Sequence, residues 1–116
     1  MNNTVIIDLV VENAVNIGSD YSVKIRLCDA PDLQLYSGFC QIRANNLEAS
    51  DIVISPLVTV LTKDLFEISI NYINFNQNIN PGNYQYDVLF MKIDNGDERF
   101  YPVGGKVSFV QRITRV

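Results

Sequence analysis

The chain contains no histidine, and that absence removes the commonest general base, the usual partner of a serine or cysteine nucleophile, and the most frequent transition-metal ligand. Most hydrolase constellations are thereby excluded. Cysteine is almost as scarce: Cys28 and Cys40 are the only two. They form no C-x-x-C pair and have no imidazole beside them, which argues against a structural zinc site. Cations are few, with nine Lys and Arg against 13 Asp and Glu, a net charge of -4. They are scattered instead of striped, so the clustered positive footprint that nucleic-acid binding needs is missing. Long apolar runs are also lacking. Val5-Ile6-Ile7 is broken by Asp8, and nothing approaches the roughly 20 residues of a membrane-spanning helix. Met1-Asn2-Asn3-Thr4 shows no basic-then-apolar leader. The expectation is a soluble protein made in the cytoplasm, with no nucleic-acid or membrane partner and with both thiols free, since a reducing compartment leaves a buried cysteine as a small hydrophobe.

What is present is an ordinary globular composition. The 116 residues are 47% hydrophobic and 19% charged, far from the signature of disorder, and the length suits one core but not two. One domain over residues 1–116 is expected. Period-two alternation dominates: Phe66, Ile68, Ile70 and Tyr72 alternate with Glu67, Ser69 and Asn71, a half-buried strand. Tyr84, Tyr86, Val88 and Phe90 point one way while Leu89 and Met91 make the other face apolar too, which reads as a central strand. Tyr21 to Leu27, Gly38 to Ala44 and Lys106 to Arg112 repeat the pattern. No apolar 3.6-residue period persists; the best helical candidate is one turn around Asn74-Phe75-Asn76-Gln77.

Breaks in the chain separate these runs. Asn95-Gly96, within Asp94 to Asp97, predicts a hairpin with a tight primed turn. Pro81-Gly82 predicts a turn with a strand starting just after it, and Asp29-Ala30-Pro31-Asp32 predicts a loop. Pro56 interrupts the apolar run from Ile52 to Leu61, and because proline cannot donate a ladder hydrogen bond it marks an edge, a bulge or a break. About seven to eight short strands with Gly, Pro and Asn turns give an all-β fold, and an immunoglobulin-like antiparallel sandwich fits the length. Val5 to Val11 is strand-like but has no short hairpin to fix its partner. It is read as the first strand of the sandwich, or, within residues 1–17, as an exchangeable arm pairing with a neighbour.

Three features invite chemistry, and each has a structural account. Asp94, Asp97 and Glu98 are the one dense acidic group, but they sit on a predicted turn and do not follow calcium-loop spacing. Gly104-Gly105-Lys106 lacks the full phosphate-loop pattern and leads into a strand, so the glycines are read as a bulge or bend before the last strand. The six Tyr and six Phe fall mostly on alternating apolar faces and are assigned to the core. Tyr36, Tyr72 and Tyr101 are the exceptions, near predicted strand ends, where exposed aromatic faces could stack on sugar rings. The residues point to no enzyme, catalytic group, metal site or cofactor.

With those residues laid out, the phrases LQLYSGFCQIR at 33–43, INPGNYQYDVLF at 79–90 and GGKVSFVQRITR at 104–115 resemble small immunoglobulin-like sandwich modules in structural proteins of tailed bacteriophages, including the N-terminal domains of upper baseplate proteins. In that family a small-residue turn leads to an IR-ending strand, a Pro-Gly turn feeds a Y-x-YDV strand, and a Gly-led strand closes the domain. The likeness spans roughly residues 20 to 116. It implies a non-enzymatic virion component in a tail, baseplate, fibre attachment or capsid surface, made in the bacterial host cytoplasm. This chain has almost nothing beyond the sandwich, which implies an adaptor or decoration protein. Its partners would be other virion proteins and copies of itself, in a homo-oligomer or symmetric assembly. The expected contact residues are Val5, Ile6, Ile7, Leu9, Val10 and Val11. The alternative is a carbohydrate-binding or host-adhesion module using Tyr36, Tyr72 and Tyr101.

Overall fold

A computed structural model describes residues 5–10, 13–44, 52–71, 73, 75 and 79–111. Among them the strands are β1 (Val5–Ile6), β2 (Val15–Asn16), β3 (Tyr21–Arg26), β4 (Tyr36–Arg43), β5 (Ile52–Ile54), β6 (Leu57–Val60), β7 (Leu65–Ile70), β8 (Gly82–Lys92) and β9 (Arg99–Val110). A 3₁₀ turn, Leu33–Leu35, precedes β4 and is capped by Asp32, whose carboxylate accepts from Gln34 N at 3.0 Å. The protein is an all-β sandwich. The larger sheet runs β1-β9-β8-β4-β5, with β2 also on β9, and the smaller runs β3-β7-β6. The helical turn expected around Asn74 to Gln77 falls mostly outside the described residues.

Alternation does the work of placing side chains, because successive residues of a strand face opposite sides of the sheet. On β7, Phe66, Ile68 and Ile70 are buried, and on β8, Tyr86, Val88 and Phe90 are buried. These inner faces meet: the Phe66 and Phe90 rings pack edge to face at 5.1 Å between centroids, and Phe90 lies against Phe100 at 5.7 Å. Offset and edge contacts of this kind add about 1 kcal/mol to the area that aromatic burial removes from water. Val15, Leu33, Val103, Val107 and Phe109 complete the same core.

The apolar run from Ile52 to Leu61 divides at Ser55-Pro56, and its halves go to different sheets. Strand β5 pairs with β4 in the larger sheet, and β6 pairs with β7 in the smaller. Pro56 is therefore a break, and it hands the chain from one layer to the other. Strand β8 starts at Gly82, whose φ of +147° suits glycine alone.

The β8–β9 hairpin forms as expected, but its turn does not. Neither Asn95 nor Gly96 takes a positive φ. A longer connection replaces the primed turn and is held by side chains: Asn95 Oδ1 accepts from Asp97 N at 3.2 Å, and Arg99 donates twice to the Gly96 carbonyl at 3.1 and 2.9 Å. Lys92 and Glu98 close it with an ion pair at 3.3 Å. Further along, Val88 faces Val103 but Phe90 faces Phe100. Tyr101 and Pro102 thus share the place opposite Leu89, a bulge that seats the proline where no ladder N–H is needed.

Candidate interaction surfaces

The N-terminal segment pairs with the last strand of its own chain. Val5 and Ile6 lie parallel beside Val103 and Gly104, Leu9 bridges Val107, and Val15 and Asn16 continue beside Phe109 and Val110. Gly105 makes this possible. Its φ is +155°, and a Cβ there would stand 2.7 Å from the Ile7 carbonyl oxygen and 2.8 Å from Asp8 Oδ1. The Gly104-Gly105 pair thus lies inside β9, not before it as expected, and admits the Ile7-Asp8 backbone of the same chain.

Two side chains replace the backbone bond lost at that point. The Tyr86 hydroxyl, reaching across Gly105 from β8, donates to the Ile7 carbonyl at 2.6 Å. Asp8 Oδ1 accepts the Lys106 N–H at 2.9 Å. On either side the ladder is regular, with Ile7 N to Gly104 O at 2.9 Å and Leu9 N to Lys106 O at 2.7 Å. Burial pushes the Tyr86 hydroxyl well above the ordinary phenol range, so it stays a donor. The Tyr21 hydroxyl, pushed up to about 12 by burial and by the nearby Cys40 sulfur, donates to the Asn13 carbonyl at 2.8 Å and pins the bend between β1 and β2.

The six residues expected to make an exchangeable contact therefore separate. Leu9 is 3% exposed and belongs to the core. Ile7 is half-buried against that core, and Val10 is also half-buried. Val5 and Ile6 are 54% and 68% exposed. Val11 lies outside the described residues.

Of the three tyrosines, the two described, Tyr36 and Tyr101, do not come together. Tyr36 is half-buried, packed edge to face on Phe100 at 5.3 Å between centroids. Tyr101 is 45% exposed on the opposite face, in the β9 bulge. Tyr72 lies outside the described residues.

A surface that the sequence reading passed over crosses the outer face of the larger sheet. Phe39, 50% exposed on β4, stands directly opposite half-buried Leu89 on β8, and exposed Tyr101 belongs to the β9 bulge across from Leu89. Ser37 pairs with Met91 one step along. Polar residues flank it, with Gln41 opposite Asp87 and Arg43 opposite Gln85. Partial burial raises the Asp87 carboxyl, an effect that Arg43 opposes. The available signal was Leu89 and Met91, apolar and out of phase with the buried residues of their strand.

At one end of the sandwich a groove of about 360 Å³ opens between the two sheets, lined by Val5, Ile7, Leu27, Cys28, Phe100 and Val103. Cys28 is exposed there and Cys40 is buried, and both are free thiols. Burial, with the Asp87 charge behind it, pushes Cys40 up to about 12, so this thiol stays protonated. Among the described residues no three His, Cys, Asp or Glu side chains cluster to hold a metal ion, and no helix is long and apolar enough to cross a membrane.

No protein-family model matches the chain, and no curated protein matches it. Among solved structures it is similar to an uncharacterized protein from Bacillus anthracis str. Ames, with 13% identity, a TM-score of 0.46, and coverage of 95% of this chain and 86% of that one.

Proposed function

We propose that this protein is a non-enzymatic structural module that acts by assembly, in the setting its sequence resemblance implies: an adaptor or decoration piece of a bacteriophage virion, packed against other virion proteins and copies of itself. The observation that carries the reading is the apolar row of Phe39 and Leu89, with exposed Tyr101 in the adjoining bulge, on the outer face of the larger sheet. Scattered exposed apolar residues are normal on any protein, but a contiguous row with a polar border is how interaction surfaces look. The strand order supports an immunoglobulin-like sandwich as the carrier. Strands β3-β7-β6 oppose β9-β8-β4-β5, and the N-terminal strands lie beside the last one.

Size-exclusion chromatography with light scattering tests self-assembly. The full chain is expected to form a defined oligomer that Phe39→Ser combined with Leu89→Ser returns to monomer; a wild-type monomer at every concentration removes self-assembly. Antibody-labelled electron micrographs of particles from a phage encoding the chain test the setting, and unlabelled particles remove it.

A further inference from the structure

Among the described residues the sandwich has several strand edges, and all but that of β3 are short or follow a proline. Strands β1 and β2 are two residues each, β5 is three, and β6 is four and follows Pro56. Short or proline-flanked edges resist the addition of a further strand. Strand β3 differs. It is six residues long, Tyr21–Arg26, contains neither proline nor glycine, and keeps an unbroken register with β7 from Tyr21↔Ile70 to Arg26↔Leu65.

Its backbone has one side to spare. Leu27 N donates to Asp64 O at 2.8 Å, toward β7. In an antiparallel pair alternate residues turn both N–H and C=O the same way, so Tyr21, Val23 and Ile25 also face β7. Ser22, Lys24 and Arg26 then turn their peptide groups outward, and among the described residues β3 is the last strand on that side of its sheet. The side chains point to the occupant. Val23 at this edge is only half-buried, so its inner face has room for an apolar neighbour. Beyond the end of the strand, the groove lined by Leu27, Phe100 and Val103 continues the same seam. On the outer face Arg26 is held by Asp64 at 2.8 Å, whereas exposed Lys24 has no ion pair among the described residues.

We propose that the free edge of β3 accepts an extended segment of a partner protein as an additional strand, with apolar side chains turned toward Val23 and the end groove and a carboxylate opposite Lys24. Main-chain bonds would supply attachment and the alternation would supply selectivity. A second copy of β3 is the wrong occupant, because antiparallel two-fold pairing centred on Lys24 or on Ile25 sets Lys24 opposite the Lys24 or the Arg26 of its copy, and like charges across a strand pair repel. The proposal concerns the sheet opposite the Phe39–Leu89 band and stands apart from it.

The test uses the full chain, isotope-labelled, with a blocked synthetic peptide alternating valine with aspartate at millimolar concentration. Amide exchange at Ser22 and Lys24 is expected to slow about tenfold, and alkylation of Cys28 in the groove to slow with it. A peptide alternating valine with lysine should bind at least tenfold more weakly, and Lys24→Glu should reverse that preference. Lys24→Pro removes an outward N–H that β7 does not use, and should abolish the protection. Unslowed Ser22 and Lys24 amides, or equal protection by both peptides, would overturn the proposal. Either result leaves the chromatographic test of the apolar band untouched.

Discussion

The two strands that border the seam at one end of this sandwich, β9 and β3, are finished in opposite ways. The N-terminal chain is laid in parallel along β9, and side chains mend the ladder where it fails: Tyr86 at the Ile7 carbonyl, Asp8 at the Lys106 N–H. Along β3 the ladder toward β7 is flawless, and among the described residues no strand pairs with the other side. Parallel pairs are slightly weaker per residue than antiparallel ones, so the covered edge depends on a few specific atoms. The bare edge depends on none, and only the charge of Lys24 guards it.

That contrast makes ordered predictions. Gly105→Val should be the most damaging change, because it forces a side chain into the Ile7 carbonyl and a positive φ onto a β-branched residue. A loss of about 3 kcal/mol in urea unfolding is expected, and a loss near zero would mean the N-terminal strand does not rely on this approach. Tyr86→Phe leaves the Ile7 carbonyl half-buried without its donor and should cost about 1–2 kcal/mol, with faster amide exchange at Ile7 and Leu9. Asp8→Ala removes the acceptor for Lys106 N–H and should cost about 1 kcal/mol, with exchange at Lys106 as the local readout. Lys24→Ala, on the bare edge, should stay within about 0.5 kcal/mol of wild type. If it proves as costly as Asp8→Ala, the edge is engaged within the folded chain and the contrast fails.

Much of this architecture was legible as alternation. The runs around Tyr21, Gly38, Phe66, Tyr84 and Lys106 became β3, β4, β7, β8 and β9 because burial on one face writes a period of two directly into the residues. That period says which face a residue takes, not which sheet the strand joins. Pro56 was therefore readable as an interruption, but the passage of β5 and β6 to separate layers was not. Glycine erases the pattern locally, so Gly104-Gly105 looked like a bend ahead of the last strand when the strand already begins at Arg99. Asn95-Gly96 announced a hairpin, yet the bonds of Arg99 and Asn95 favour a longer loop without positive φ. The pairing of Val5 with Val103 has no local signature, since nothing near one end of a chain encodes a partner at the other. The apolar band was missed for a related reason: Phe39 and Leu89 lie in different strands, and only the register joins them.

The union of the first strands with the last has a consequence for how the molecule is made. A ribosome delivers residues in order, so Leu9 and Val15, which the finished core buries, emerge with nothing to bury them until β9 has followed. Local hairpins form early, but closure waits on contacts nearly a whole chain length apart, which slows folding. Through that interval the segment from Val5 to Val15 is a loose apolar stretch whose charges are Asp8 and Glu12, and a stalled or clipped chain that ends before β9 leaves it without its place.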